Sequence, residues 1–404
     1  MGKIAIAGNK GKKVRSDCFL SLEITNQGGI EIQLQSKVKT LFADSIINLA
    51  NKVLKYFDIE NAKLIIEDFG ALDFVIAARI EAAVKQLIDT DKQYLFDIID
   101  ENKYSTKRDL YRFSRLYLPG NTPSMMINAG LHKPNGIILD LEDSVALSKK
   151  EEARLLVRNA LCRINFYGAE RMVRINQGQR GIDDLKYVIP FNVNLLLLPK
   201  CESADYVRKI DVEVNKIKKE YNIDSRIFYM PIIESALGVE KAFEIATSSK
   251  NVVALAIGLE DFTADIGVQR TKEGIESIYA RTRLVNACHA AKIQPIDSVF
   301  SDVADMEGLK NNVKMSKSLG FEGMGCIHPR QIPVIIESFA PEENQIEKAK
   351  KIVKAFYEAE KKGLGVVSLG TKMIDPPVVK RNQKIIDLAV SLGLLSEKWL
   401  QEME

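Results

Sequence analysis

Cysteines are few in this sequence, and none are placed to work together. Five (Cys18, Cys162, Cys201, Cys288 and Cys326) are scattered over 404 residues, odd in number and without CxxC spacing. That pattern excludes a disulfide framework or a zinc ligand set and predicts reduced thiols in a cytoplasmic protein. Long apolar runs are also missing, since each is broken by charge well short of the ~20 residues a membrane span needs. The opening stretch MGKIAIAGNKGKK has too little apolar length for a secretory signal, so neither export nor membrane insertion is expected. Charge of one sign is absent too. The 57 basic and 54 acidic side chains leave +3, which provides no broad field for nucleic acid or a membrane surface. Nucleotide loops are lacking: GNKGKK from Gly8 misses the spacing GxxxxGK(S/T), and GLGVVSLG from Gly363 is not a GxGxxG between strand and helix.

What is present is ordinary soluble composition, 46% apolar and 27% charged. The length exceeds the ~250 residues of one barrel and falls short of two. Residues 1–88 read as a small module. Asp17 to Ile24 and Ile30 to Leu34 alternate apolar and polar residues, as half-buried strands do, and TNQGG between them predicts a hairpin. Helical spacing over Phe42 to Phe57, a strand over Lys63 to Ile66 and a helix over Ala71 to Ile88 complete a β-β-α-β-α order. Residues 89–107 are polar and charged, with the character of a linker.

From Arg108 the rhythm changes. Eight short apolar runs alternate with helical stretches over residues 108–340: RLYL, GIILDLED, RMVRIN, NLLLLPK, IFYMPIIES, VVALAIGLED, IQPIDSVF and GMGCIHP. Their near-continuous apolar character implies burial on both faces, as in a parallel sheet. A doubly wound sheet is the main alternative, but eight evenly spaced units favour closure into an α/β TIM (β/α)8 barrel. Residues 341–404 read as a C-terminal helical and lid segment, with an amphipathic helix, a Gly/Pro-rich piece and a final helix.

A TIM barrel carries its chemistry at the C-terminal ends of its strands. The polar residues there are Glu142, Asp143, Arg174, Lys200, Glu234, Glu260, Asp261, Asp297 and His328. Carboxylates suit a hard divalent cation, and arginine grips a carboxylate through paired hydrogen bonds. An isolated acid after a strand is more commonly a helix cap, but Glu234 and Asp261 follow strongly apolar runs on adjacent strands. His328 precedes a proline and reads as a turn residue, and His289 as surface or core filler. Lys10, Lys12, Lys13 and Arg15 form a basic cluster of the kind that is usually solvated.

With the barrel and its acidic rim assembled, ILDLEDSVALSKKEEAR, MVRIN, IESALG, GLEDF, RTKEGIESIYAR, IHPRQI and GLGVVSLGTKMIDPPV resemble the citrate lyase beta subunit family, in its order and spacing. Residues 1–88 resemble the acyl carrier (gamma) subunit of citrate lyase through DCFLSLEI, SKVKTLFADSI, GALD and AARIEA. The resemblance implies Mg²⁺ held by Glu234 and Asp261, and a substrate carboxylate held by Arg174. It also implies an acidic pair, Glu142 and Asp143, and an acid, Asp375, contributed by a neighbouring subunit. The implied reaction is retro-Claisen cleavage of a citryl-like thioester to oxaloacetate and an acetyl thioester. A homo-oligomer, trimer or hexamer, and a citrate lyase alpha-like transferase partner are implied with it.

Two positions depart from the pattern. Where the family has an arginine facing the thioester, this chain has Phe113 flanked by Arg112 and Arg115, either of which is a candidate substitute. The serine that bears the family's phosphoribosyl-dephospho-CoA arm is replaced by Arg15, leaving Ser16 as the nearby attachment candidate. Three readings follow. The first is a lyase fed by a thioester on its own N-terminal domain. The second is a stand-alone malyl-CoA or citramalyl-CoA type lyase acting on free CoA thioesters with a vestigial carrier. The third is a non-catalytic assembly component of a lyase complex.

Overall fold

The computed structural model describes residues 3–361, 367–369 and 372–403. Its N-terminal part is a four-stranded sheet, β1 (Ile4–Gly8), β2 (Cys18–Ile24), β3 (Ile30–Ser36) and β4 (Ala62–Asp68), in the order β1-β2-β4-β3. The helices Lys39–Tyr56 and Asp73–Leu87 cover it. The hairpin expected between the second and third strands does not form. Instead β4 inserts between them, antiparallel to β2 and parallel to β3. Burial explains the choice: β4 sinks Ala62, Leu64, Ile66 and Asp68, whereas β3 alternates only between half-buried and exposed and takes the edge. The first strand was also not anticipated, because IAIAG lies inside a stretch read for its glycines and lysines. It pairs antiparallel with β2.

The eight expected barrel strands all form: β5 (Ser114–Pro119), β6 (Gly136–Asp140), β7 (Glu170–Arg174), β8 (Leu195–Leu198), β9 (Phe228–Ile233), β10 (Ala254–Ile257), β11 (Gln294–Ile296) and β12 (Met324–Cys326). They run parallel in the order β11-β10-β9-β8-β7-β6-β5-β12, and a bridge between Asp297 and Met324 joins the two ends. Strands β6, β8 and β9 are buried at every position, because alternate residues face two cores. Ile138, Met172, Leu195, Leu197, Phe228 and Met230 fill the interior, while their neighbours Ile137, Leu139, Val173 and Leu196 pack outward under the helices. This is a TIM-like barrel preceded by a small α+β unit.

Residues 89–107 are mostly extended, with one 3-10 turn at Asp100–Asn102, and they pack on the barrel. The Tyr104 hydroxyl donates to the Ala169 carbonyl at 2.6 Å, and Arg171 donates to the Tyr104 carbonyl at 2.7 Å. The N-terminal unit is also docked through buried charge. Arg79, fully buried, grips Asp17 with two bonds of 3.0 and 2.9 Å and reaches Glu152 of the barrel at 3.3 Å. Asn9 donates to the Asn121 carbonyl at 3.0 Å, and Asn121 follows β5 at the mouth of the barrel. Further along the same face, Arg158 holds Glu81. After the barrel, the helices Glu343–Glu360 and Pro376–Ser391 pack around Val353, Ile386 and Trp399. The Gly/Pro-rich piece expected as a lid lies partly outside the described residues. Among those described, no helix is long and apolar enough to cross a membrane.

Candidate active site

The C-terminal ends of β5, β6, β7, β9, β10 and β12 open onto a cavity of about 420 Å³. Its wall carries Asp140, Asp143, Arg174, Glu234, Glu260, Asp261 and Asp297, with Tyr117 and Arg115 beneath. Most of the acids expected at the rim therefore converge. Glu142 is buried just behind the wall, where its carboxylate pairs with Arg174 and accepts from Gln177.

Arg174, the last residue of β7, is held in place by three carboxylates. Its Nε and Nη2 donate to both oxygens of Asp140 at 2.6 and 2.7 Å, and Nη1 reaches Glu142 at 2.9 Å and Asp143 at 3.1 Å. Burial lowers its affinity for a proton, but the bonds and charge of Asp140 outweigh that and hold it above the ordinary arginine range. The same pairing overcomes burial at Asp140 and keeps its carboxyl below the usual value. Glu142 behaves oppositely: burial, reinforced by Asp143, pushes it up to about 7. Asp140 was missed in the sequence, although the alternation of β6 predicts it. Ile138 faces the interior, so Asp140 two residues on must face it as well.

Glu234 follows β9 and is 5% exposed. Its Oε1 accepts the Lys200 backbone N–H at 2.6 Å. Burial, only partly offset by that bond and reinforced by Asp261, pushes its carboxyl up to about 7. Gly258, beside it at the end of β10, has to be glycine: a Cβ there would lie 2.5 Å from Glu234 Oε2. Three residues on, Asp261 stands in the first turn of the helix Leu259–Asp265 and pairs with the Lys200 ammonium at 3.2 Å. That lysine forms no desolvated nucleophile, since the charge of Asp261 raises its pKa despite burial.

A divalent cation fits this pair. Mg²⁺ is commonly held by one or two carboxylates, with waters and substrate oxygens completing six ligands. Among the described residues no three His, Cys, Asp or Glu side chains close into a protein-only cage, so a cation here would keep positions open for substrate. The Lys200 ammonium already occupies the cationic role toward Asp261, and Glu234 is a buried carboxylate whose charge needs a positive partner.

The remaining expected residues lie away from the cavity or, like Asp297, are already engaged at its wall. Arg112 is excluded from the mouth: fully buried, it forms a bidentate pair with Glu170 at 2.7 and 2.9 Å and donates to Gln294 at 2.8 Å. Glu170 and Gln294 begin β7 and β11, so Arg112 closes the opposite end of the barrel, while Phe113 stacks on Phe339. Asp375 caps the helix Pro376–Ser391, accepting the Val378 N–H at 3.1 Å, and does not line the cavity of its own chain. Asp297 is tied to Arg281 and Ser316. His328 accepts the Arg330 N–H in a turn. Ser16 is half-buried, with φ 53°, next to the anchored Asp17.

A parallel barrel with a guanidinium and a carboxylate pair able to hold a cation in one cavity suits a carbon–carbon lyase or aldolase. Residues 114–329 match the family described as HpcH/HpaI aldolase/citrate lyase, and the chain belongs to that family. Residues 4–87 match an acyl carrier family model described as malonate decarboxylase delta subunit (MdcD). The chain is 39% identical to the citrate lyase subunit beta of Haemophilus influenzae over 283 residues, 69% of this chain and 97% of that one. It is 31% identical to the mitochondrial citramalyl-CoA lyase of Homo sapiens over 289 residues, 69% and 85% of the two chains. Among solved structures it is similar to protein CitE of Mycobacterium tuberculosis in complex with magnesium, acetoacetate and coenzyme A. The TM-score is 0.57 at 26% identity, covering 70% of this chain and 99% of that one. The chain is a lyase with an acyl-carrier-like N-terminal domain.

Proposed function

We propose that the chain cleaves a citryl-like 3-hydroxyacyl thioester to oxaloacetate and an acetyl thioester, using Mg²⁺ held by Glu234 and Asp261. The single observation that carries the reading is Glu234, a buried carboxylate pressed against Gly258 and adjacent to Asp261 in a cavity closed by Arg174. Magnesium bound to the CitE relative supports it. When bound, the cation polarises the substrate hydroxyl and the carboxylate beside it. Arg174, held rigid by Asp140, Glu142 and Asp143, fixes the orientation of that carboxylate, which supplies the entropic part of the rate gain. In the step itself a carboxylate of the cavity wall, Asp143, takes the hydroxyl proton as the C–C bond breaks. The electron pair passes into the thioester enolate, and a proton added to carbon completes the acetyl thioester. Asp375 of a second copy is the assigned proton donor, which requires a homo-oligomer, a trimer or hexamer. A citrate lyase alpha-like transferase subunit would supply the thioester if the first of the three readings holds.

Arg15 in place of the arm-bearing serine favours one feature of the second reading, a thioester on free CoA instead of on the N-terminal domain. Intact mass of the protein from its native host separates the two: an adduct on Ser16 supports the carried thioester, and none supports the free one. The test of the activity is Mg²⁺-dependent cleavage of citryl-CoA. Asp261→Ala should lose at least about 100-fold in kcat/KM, near 3 kcal/mol of barrel-bound catalysis. Full activity in that variant, or in excess chelator, rejects the metal assignment, and an active monomer on sizing rejects the role of Asp375.

A further inference from the structure

Two cations line the cavity, and they differ in one respect. Arg174 is paired with three carboxylates. Arg115 is paired with none. It lies on β5 one layer below Tyr117, is 1% exposed, and has no carboxylate within ion-pair distance among the described residues. Its Nη1 donates at 2.9 Å to the Met230 thioether, a weak acceptor, and its Nε has no partner. The barrel makes room for it. The residues in register with Arg115 on both neighbouring strands are Gly136 and Gly325. A Cβ at Gly136 would strike Met172, and one at Gly325 would strike Val299 and Tyr117, so both glycines face the interior. Barrel layers are normally filled with branched apolar side chains. Here two are withheld and a guanidinium occupies the space.

A buried charge without a counter-charge is strongly disfavoured unless a ligand supplies one. We propose that Arg115 forms an anion subsite at the floor of the cavity that binds a second carboxylate of the substrate, distal to the one at the rim. This deepens the proposed function and rests on it. A 2-keto acid anchored through its keto and adjacent carboxylate oxygens beside Glu234 and Asp261 directs its remaining substituent down the barrel. At the floor a carboxymethyl group meets the planar fork of Arg115, which matches a carboxylate in two parallel bonds. A methyl group meets only an uncompensated charge. The subsite therefore selects the dicarboxylic keto acid over its monocarboxylic analogue, and the citryl over the citramalyl thioester.

Titration calorimetry of the full chain with Mg²⁺ and fresh oxaloacetate or pyruvate tests this. The wild type should favour oxaloacetate by about 10- to 100-fold, the usual worth of hydrogen bonds to a charged group. Arg115→Met should bring the two affinities within about threefold of each other while leaving that for pyruvate unchanged. Methionine matches the surrounding core, so this variant should unfold no lower than the wild type without ligand. Arg115→Lys, which keeps the charge without the fork, should fall between, and serves as the readout if the methionine variant fails to fold. Discrimination retained in the folded variants overturns the subsite alone, as does a wild type that prefers pyruvate. Failure of the wild type to bind either keto acid overturns the functional reading and the subsite together.

Discussion

Replacing Arg158 with methionine tests whether the N-terminal unit and the barrel unfold as one body. Arg158 belongs to the barrel helix Lys150–Arg163 and Glu81 to the helix Asp73–Leu87, and both side chains are 0% exposed. They share a bidentate pair of 3.0 and 2.7 Å, and Arg158 also donates to the Tyr94 carbonyl at 3.0 Å. Removing one partner of a buried pair costs ~3–5 kcal/mol, because the other charge stays buried. Glu81 keeps the Tyr94 N–H at 3.1 Å and Lys85 at 3.9 Å, which places Arg158→Met near the lower end, at about 3 kcal/mol. The double variant Glu81→Leu with Arg158→Met removes both charges and should regain all but about 1 kcal/mol. Urea unfolding followed by circular dichroism measures each, and proteolysis across residues 89–107 reports opening between the units. The reasoning is refuted if Arg158→Met costs under about 0.5 kcal/mol, a value typical of surface substitutions. It is refuted equally if only a separate N-terminal transition moves while the barrel midpoint stays fixed.

Two further outcomes concern the cation pair. Gly258→Ala places a methyl group 2.5 Å from Glu234 Oε2, so it should weaken Mg²⁺ binding by at least about tenfold while leaving the barrel folded. Unchanged affinity by calorimetry contradicts the close approach. The second outcome is a pH dependence. The folded carboxyl of Glu234 is raised from 4.5 to about 7. Its neutral form therefore favours folding fully below about 4.5, and that contribution is lost as pH rises through about 7. The metal-free protein should accordingly lose stability across this window, with Glu142 acting in the same direction, and Mg²⁺ should reverse the loss. Melting temperature against pH, with chelator and with Mg²⁺, measures it; Glu234→Gln should flatten the profile, and an identical profile in that variant contradicts the assignment.

Much of this could be read along the chain because the relevant forces act locally. The eight barrel strands stood out since a parallel strand buried on both faces needs an unbroken apolar run, and β6, β8 and β9 are buried throughout. Glu234 and Arg174 were legible as the first polar residues after such runs, and Asp261 as the second, behind Glu260. Asp140 was equally within reach by alternation from Ile138, but its neighbours Glu142 and Asp143 drew attention instead. The N-terminal strand order was not legible, because β3 and β4 pair across an intervening helix, and the winning pairing depends on how much each strand buries.

The number of strands was readable from the chain, which also favoured their closure into a barrel and pointed to most of the acids at its mouth, Asp140 excepted. Only the tertiary structure decided what each cation does. Arg112 and Arg115 are three residues apart on one strand entry, yet their partners, Glu170 and Met230, lie 58 and 115 residues away. One arginine met a buried carboxylate at the bottom of the barrel and became part of its frame. The other, flanked in register by two glycines, met only a thioether and kept its charge uncompensated. A side chain's charge is written in the sequence, but whether that charge is spent depends on which distant residue folding brings beside it.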